Sequence, residues 1–171
     1  MGEITHKPAQ QIPRELVSSP VFLLKRLGGA AKELSMDAYE SQGVHPFHYA
    51  VLATIAEGKH ETQGEIADAL GYDRGQLVGI LDELEEHGLV ERRRDPDDRR
   101  RHIVQMTPDG QKALTKMRKL ARQIDDEFLA VLSQSERDQL QALLSTLAGK
   151  HVPQCRDLPK LALTAPARRA H

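Results

Sequence analysis

The sequence has few of the residues that build disulfide frameworks, membrane spans and aromatic cores. It has one cysteine, Cys155, among 171 residues, no tryptophan and only 4% aromatic residues. A single cysteine excludes an intrachain disulfide, and we interpret Cys155 as a thiol without a role. No apolar run approaches the roughly 20 residues that cross a bilayer, so we expect no membrane contact. Residues 1–16 lack the basic start and apolar stretch of a signal peptide, which predicts a cytoplasmic protein.

Motifs of catalysis and of metal binding are also missing. The sequence contains no nucleophile elbow, phosphate-binding loop, HExxH motif or paired CxxC motif, so we expect no enzyme, no catalytic residue and no cofactor. His45 and His48 stand three residues apart. Zinc needs more than two ligands, and no cysteine or carboxylate lies at a ligand spacing nearby. We therefore predict no metal site.

Positive charge is concentrated in one short segment, although the formal net charge is −1. Residues 92–101, RRRDPDDRRR, contain six Arg against three Asp. A net charge near zero argues against a protein that coats nucleic acid in general. A local excess of positive charge can still attract phosphates. The alternative is a solvated arginine-rich hairpin without a partner.

The stretch from Thr62 to Thr107 follows the order helix, turn, helix, strand, strand. Thr62 with Glu65 predicts a capping box, and Gly71 suits the end of that first helix. Asp73 is a good N-cap for a second helix, which Gly88 ends. Its apolar stripe consists of Leu77, Ile80, Leu81 and Leu84. Residues 89–91 and 102–106 alternate apolar with polar side chains and predict strands.

A helix-turn-helix followed by a basic hairpin is an arrangement that reads DNA. The second helix, here called the recognition helix, enters the major groove, and the hairpin, here called the wing, contacts the backbone or minor groove. We predict a mainly α fold of the α+β class, with residues 44–107 as the DNA-binding lobe.

Long helices are predicted on both sides of this lobe. The first runs from Leu16 to about Gln42 and is bent at Gly28-Gly29. Two more cover residues 47–57 and 108–132. Ser135, with Asp138 three residues later, opens a last helix that ends at about Lys150. The terminal helices, within 15–43 and 108–150, are too long and apolar for one small core, so we expect a second copy to cover them. Residues 1–14 are predicted to be a loose arm and 151–171 a disordered tail; alternatively, the tail wraps the dimer through Leu158, Leu161 and Leu163.

Several segments of the lobe resemble the winged helix-turn-helix of the MarR (multiple antibiotic resistance regulator) family. They are Asp73-Arg74, LDELEEHGLVER at 81–92, DPDDRR at 95–100 and TPDG at 107–110. The resemblance extends weakly over the flanking helices and covers most of residues 20–150. It implies a single domain that forms a two-fold homodimer and binds a pseudo-palindromic operator, most simply a repressor released by a ligand.

The buried stripe of the recognition helix leaves its opposite side for DNA. We expect Arg74 to contact guanine or phosphate, Gln76 to contact adenine and Val78 to meet a thymine methyl group. Gly75 and Gly79 lie on the same side, as does Glu83. Family members commonly have polar or basic residues at the positions of Gly75, Val78 and Gly79. These glycines either let the backbone approach DNA closely or indicate an adaptor that lost DNA binding. Gln63, near a helix N-terminus, is positioned for a phosphate.

The wing supplies the remaining predicted contacts. Asp97 or Asp98 is expected to pair with a neighbouring arginine. Because alternate residues of a hairpin face opposite sides, Arg99 and Arg101 should share one face and Arg100 the other. The resemblance implies one arginine in the minor groove and another in a structural salt bridge, and we favour Arg99 and Arg101 for DNA. Arg92, Arg93 and Arg94 are assigned to the strand edge and flanking phosphates.

The resemblance also implies a small-molecule pocket between the dimer helices and the DNA-binding lobe. The candidate residues are Arg26, His45, Phe47, His48 and Tyr49. A cation beside aromatic rings suits a small aromatic or phenolic effector with a carboxylate, and ordinary packing is the alternative for these side chains. A metal- or redox-responsive regulator of the same fold, through the histidines or Cys155, is a further alternative.

Overall fold

The structure is a computed structural model that describes residues 11–58, 61–96, 98 and 100–156. Its elements, in chain order, are α1 Arg14–Val17, α2 Pro20–Glu40, α3 Pro46–Ala56, α4 Gln63–Leu70, α5 Arg74–Glu86, β1 Val90–Arg94, β2 His102–Met106, α6 Pro108–Phe128, α7 Gln134–His151 and a 3₁₀ turn Pro153–Cys155. The predicted class, mainly helical with a β-hairpin wing, is confirmed. Among the residues described, no helix is both long and apolar enough to span a bilayer.

One hydrophobic core lies where α3, α4, α5, the wing and α6 meet. The largest side chains in it that are fully buried are Leu52, Ile66, Leu77, Leu81, Leu84, Val51 and Val90. Three of these belong to the predicted stripe of the recognition helix, α5, and Ile80 is also buried. The stripe therefore fixes which side of α5 faces inward, as predicted.

The helix-turn-helix begins and ends at the residues that the sequence indicated. The hydroxyl of Thr62 accepts a hydrogen bond from the Glu65 N–H (3.3 Å), and the Glu65 carboxylate accepts one from the Thr62 N–H (3.0 Å). Gly71 closes α4 with φ +67°, a left-handed conformation that favours glycine. The Asp73 carboxylate accepts from the Gln76 N–H at 2.8 Å and caps α5. Local side-chain chemistry thus defines the recognition helix.

The wing is an antiparallel hairpin with a third connection that was not predicted. Its register pairs Val90 with Met106 and Arg94 with His102. In addition, Thr62 forms an isolated bridge with Ile103, and the Val104 N–H donates to the Glu61 carbonyl at 2.8 Å. The segment that leads into α4 therefore lies along β2 and fixes the wing against the helix-turn-helix.

Gly110 permits α6 to pack closely on Leu89, in the turn between the recognition helix and β1. A Cβ atom at Gly110 would overlap the Leu89 carbonyl oxygen, so no side chain fits there. The neighbouring Thr107 hydroxyl donates to the Gly88 carbonyl (2.7 Å) and accepts from the Gly110 N–H (3.0 Å). This joint connects the DNA-binding lobe to the long helix α6.

The N-terminal helix differs from its prediction. We expect from the sequence one helix from Leu16 to about Gln42; the chain instead forms the short α1 and then α2, because Ser19 caps a new helix that has Pro20 at its first position. The helix continues through Gly28 and Gly29, around which a Cβ atom would meet no neighbour within 4 Å. The interruption therefore lies at the Ser19 cap and not at the glycines. Residues 1–10 of the predicted arm lie outside the described residues.

The C-terminal part also differs from its prediction. The last helix begins earlier than expected, because Ser133 and Glu136, rather than Ser135 and Asp138, form its capping box. The segment from His151, expected to be disordered, includes the end of α7 and the 3₁₀ turn, where Gln154 packs beside Gly71. Residues 157–171, with the three leucines of the alternative prediction, lie outside the described residues. The end of α6 at Phe128 is also earlier than the predicted 132.

Candidate nucleic-acid interface

The outward side of α5 carries the residues predicted to read DNA. Arg74, Gly75, Gln76, Val78 and Gly79 are all exposed, and they lie opposite the buried stripe. No Cβ contact within 4 Å would be made at Gly79, so this side of the helix backbone is open. The structure therefore presents the predicted set on one accessible helix surface.

Glu83 is exposed as predicted, and it also bonds a residue of another helix. Its carboxylate lies 2.8 Å from Nε2 of His48, which is buried. The backbone carbonyl of Glu83 also lies 2.7 Å from Nδ1 of His87. Glu83 thus joins the recognition helix to α3 while its side chain stays 60% exposed. No local signal in the sequence indicates this pair, because the two residues are 35 positions apart.

A concave surface brings the helix and the wing together. It has a volume of about 410 Å³ and is lined by Thr62, Gln63, Gly64, Glu65, Asp68, Arg74, Arg100, Arg101 and His102. We call it the DNA-facing concavity. It brings together four predicted contact residues, namely Gln63, Arg74, Arg100 and Arg101. Gln63 is at the first position of α4, where free backbone N–H groups favour an anion.

The wing arginines are arranged by a turn rather than by strand alternation. The Arg101 N–H donates to the Asp98 carbonyl at 2.9 Å, and Arg100 lies in a turn before β2 begins at His102. Arg100 and Arg101 consequently line the same concavity, and the prediction that they face opposite sides is wrong. Arg99 and Asp97 lie outside the described residues, and Arg94 is exposed at the end of β1.

Acidic residues hold both described arginines of the wing tip. Asp98 bonds the Arg100 guanidinium at 3.2 Å, which confirms the predicted pairing, and this contact lowers the pKa of the Asp98 carboxyl. Arg101 lies 3.4 Å from the Glu65 carboxylate. The side chains of Arg100 and Arg101 remain 90% and 49% exposed. Ion pairs this exposed are weak, so both guanidinium groups stay available to phosphates.

Arg92 has a structural position that the sequence did not reveal. Its side chain is only 22% exposed and lies between Asp82 and Glu85 of α5. This pairing contradicts the prediction that Arg92 serves the strand edge and flanking phosphates. Arg93, in contrast, pairs with its strand neighbour Glu91 at 2.8 Å and is 68% exposed. The one signal for this pairing in the sequence is that Asp82 and Glu85 are three residues apart on the recognition helix.

The residues proposed for an effector lie mostly at the start of α3. The His45 ring packs on Phe47 with centroids 4.6 Å apart, and Phe47 packs on Tyr72 at 5.5 Å. Tyr49 stacks on Tyr39, and burial raises the Tyr39 pKa to about 12, so its phenol stays protonated. The ring contacts connect α2, α3 and the turn before α5.

Two further observations bear on the effector and metal hypotheses. Arg26 lies on an exposed part of α2, and none of the described ring contacts includes it. His45 accepts a hydrogen bond from the Phe47 N–H at 3.3 Å, as the N-cap of α3, while His48 bonds Glu83. Within the described ranges, no three His, Cys, Asp or Glu side chains are grouped to hold a metal ion.

The sequence is similar to known regulators along most of its length. The model of the MarR family matches residues 42–101. A transcriptional regulatory protein for the hcr operon of Thauera aromatica is 35% identical over 147 residues, which cover 82% of this chain and 89% of that protein. The chain belongs to the MarR family. The resemblance inferred from the sequence is confirmed.

Solved structures agree with this assignment. The transcriptional repressor CouR, bound to a 23-mer DNA duplex, is 32% identical with a TM-score of 0.73, over 82% of this chain and 99% of that one. CouR from Rhodococcus jostii RHA1 bound to p-coumaroyl-CoA is 26% identical with a TM-score of 0.66, over 80% and 96%. This MarR-family protein is a DNA-binding transcriptional regulator and not an enzyme, as predicted.

Proposed function

We propose that this MarR-family protein is a homodimeric repressor that binds a pseudo-palindromic operator and is released by a small aromatic or phenolic effector. The observation that carries the proposal is the DNA-facing concavity, where the recognition helix, the start of α4 and the wing tip converge. A duplex seated there meets a helix for its major groove and two guanidinium groups for its backbone or minor groove.

The contact residues divide into two kinds. Arg74, Gln76 and Val78 are exposed on α5 and offer a guanine contact, an adenine contact and a methyl contact. Gly75 and Gly79 let the helix backbone approach the bases. Phosphate contacts come from Gln63, Arg94, Arg99, Arg100 and Arg101. Only the first kind carries sequence information directly.

Homodimer formation is supported by apolar side chains that the single chain leaves exposed. Val21 and Leu27 of α2 are 76% and 52% exposed, and Leu143 and Leu147 of α7 are 54% and 44% exposed. Large apolar side chains in such numbers on two terminal helices indicate an interface. A two-fold dimer places two recognition helices on half-sites roughly 10 bp apart.

An effector is proposed to bind near Arg26, His45, Phe47, His48 and Tyr49. The hydrogen bond between His48 and Glu83 connects this set directly to the recognition helix. A ligand that binds better when this bond is rearranged would favour dimers whose recognition helices are wrongly spaced. The p-coumaroyl-CoA bound to CouR supports an effector of this chemical class.

Selection from random DNA tests the proposal with no assumption about the operator sequence. Purified protein is incubated with a pool of random duplexes of roughly 30 bp, long enough for two half-sites, and bound DNA is amplified and sequenced through several rounds. We expect a two-fold related motif whose half-sites are about 10 bp apart. Failure to enrich any motif, with the protein shown to be folded and dimeric, would favour the adaptor alternative.

Two variants separate base reading from phosphate contact. Arg74→Ala should broaden the selected motif, whereas Arg100→Ala/Arg101→Ala should weaken binding to all sequences and reduce the dependence of log K on log salt by about 2 per protomer. Arg118→Ala, which removes an exposed arginine of α6 outside the DNA-facing concavity, is the matched control. Effector release is then tested by adding p-coumarate or p-coumaroyl-CoA to the complex.

A further inference from the structure

The second half of the recognition helix is strongly acidic. Four of its last five residues are acids, Asp82, Glu83, Glu85 and Glu86, whereas Arg74 at the other end is the one basic residue in the helix. The helix C-terminus adds partial negative charge of its own. This end therefore repels DNA phosphates wherever its carboxylates are not paired, and its orientation relative to the wing matters for binding.

Arg92 of β1 pairs with two of these carboxylates. Its Nη2 atom lies 2.6 Å from Asp82 Oδ1, and its Nε atom donates to Glu85 Oε2 at 2.9 Å. The backbone N–H of Arg92 also donates to Glu85 Oε1, at 3.1 Å. Both oxygens of Glu85 are thus bound by one residue of the wing. These bonds lower the pKa of Glu85 and raise that of Arg92, so the pair stays charged.

This contact lies across the bend between the recognition helix and the wing, where it can fix the angle between them. Gly88, with φ +68°, is the bend between α5 and the wing, and Arg92 is the residue of β1 that ties the strand back to the helix beyond that bend. In the strand register Arg92 is opposite Val104, two residues from the end of the ladder at Arg94 and His102. The turn with Arg100 and Arg101 begins there, about 7 Å further along.

We propose that Arg92 is a positioning residue of the DNA-binding surface: its guanidinium holds the wing at a fixed angle to the recognition helix, so that helix and wing reach the same duplex together. The inference rests on the proposed function, in which both elements contact one operator. A lysine has the same charge but lacks the planar fork that bonds Asp82 and Glu85 together. Charge and geometry can therefore be separated by experiment.

The test compares Arg92→Lys and Glu85→Gln with the wild type on the selected operator. Hydroxyl-radical footprinting reports the minor-groove and backbone contacts of the wing, and methylation protection of guanine N7 reports the major-groove contacts of the helix. We expect both variants to retain guanine protection and lose wing protection at the edges of each half-site. Affinity should fall about 10-fold, the scale expected for one or two lost phosphate contacts per protomer.

Arg137→Lys is the matched control. It makes the same substitution at an arginine whose side chain is 23% exposed and lies 2.8 Å from Asp126, outside the DNA-facing concavity, and it should leave the footprint unchanged. Thermal unfolding of each variant shows that footprints are recorded on folded protein. Should Arg92→Lys fail to fold, Glu85→Gln alone still removes the charged partner and gives the same comparison.

Different outcomes overturn different claims. If Arg92→Lys and Glu85→Gln keep full wing protection, or lose wing and guanine protection in equal proportion, Arg92 has a general structural role and the inference is wrong. If the wild type protects no sequence at all, the proposed function fails and the inference fails with it. Loss of wing protection in Arg137→Lys as well would also contradict a specific role for Arg92.

Discussion

Under the proposed function, Arg101 exchanges a contact within the protein for a DNA phosphate. In the free protein its guanidinium lies 3.4 Å from the Glu65 carboxylate, and both side chains are about half exposed. An ion pair of this kind stabilises a protein by at most about 1 kcal/mol. A phosphate on DNA competes readily with such a contact, so Glu65 orients Arg101 without sequestering it.

Glu65 also predicts how stability depends on pH. Its carboxylate accepts a hydrogen bond from the backbone N–H of Thr62 and also interacts with the Thr62 side chain. These contacts lower the Glu65 pKa below its usual 4.5. A lowered pKa means that the bonds stabilise the fold above the unfolded-state pKa and that this contribution is lost as pH falls through the folded-state value. Glu65→Gln should lower the urea midpoint at neutral pH, and the difference from wild type should shrink below about pH 4.5.

The control for this measurement removes a charge without removing a cap. Glu33→Gln makes the same substitution at an exposed residue in the interior of α2, away from both ends of that helix. Its urea midpoint should differ from the wild type by the same small amount at neutral pH and below about pH 4.5. A pH-independent difference for Glu65→Gln would contradict the role assigned to the capping box.

The recognition helix contains two glycines, although alanine would make a helix more stable. Gly79 is in the helix interior, and a Cβ atom there would meet no neighbour within 4 Å. Glycine costs roughly 0.5–1 kcal/mol relative to alanine in such a position. Gly79→Ala should therefore raise the free energy of unfolding by about that amount and yet weaken operator binding about 10-fold, because the added methyl group meets the bases.

Gly28→Ala separates the two effects. Gly28 lies inside α2, with no neighbour within 4 Å of its Cβ position, and away from the DNA-facing concavity. It should raise the free energy of unfolding without changing affinity for the operator. Unchanged affinity in Gly79→Ala would show that the helix backbone does not approach the groove closely.

The features that the sequence predicts well are those determined by neighbouring residues. The capping box of Thr62, the left-handed Gly71 and the Asp73 cap each depend on side chains within four positions, and all three are present. The Ser19 and Ser133 caps are equally local. They were not predicted because other residues, Leu16 and Ser135, also suited the start of these helices. Long hydrophobic periodicity shows that a helix exists and leaves its first residue open.

Contacts between distant residues could not be predicted in the same way. The bond of His48 to Glu83 joins positions 35 apart, and Arg101 reaches back 36 positions to Glu65. These pairs depend on how α3, α5 and the wing pack, which no local pattern encodes. The alternation rule also failed at Arg100 because a turn, rather than a strand, precedes β2.

The organisation of the whole molecule depends on the helices that the single chain leaves uncovered. Helix α7 carries Leu143 and Leu147 one turn apart, both about half exposed, while α2 exposes Val21 and Leu27. Burying such side chains against a second copy stabilises each by about 1.5–3 kcal/mol. In the proposed homodimer two recognition helices are held at a fixed spacing, so we expect this interface to determine both stability and operator choice.

Disrupting that interface should separate folding from tight DNA binding. Leu143→Asp/Leu147→Asp places two charges on the α7 stripe, and the variant should sediment as a single chain of 19.1 kDa rather than as a pair. A single chain binds only one half-site and is not held near the operator by a second bound subunit. Operator affinity should therefore fall by about 100-fold or more. Val131→Asp is the control, since Val131 is 91% exposed between α6 and α7 and should leave both mass and affinity unchanged. A double variant that still sediments as a pair would show that the two subunits meet through other surfaces, and the spacing of the half-sites would then have to be set elsewhere.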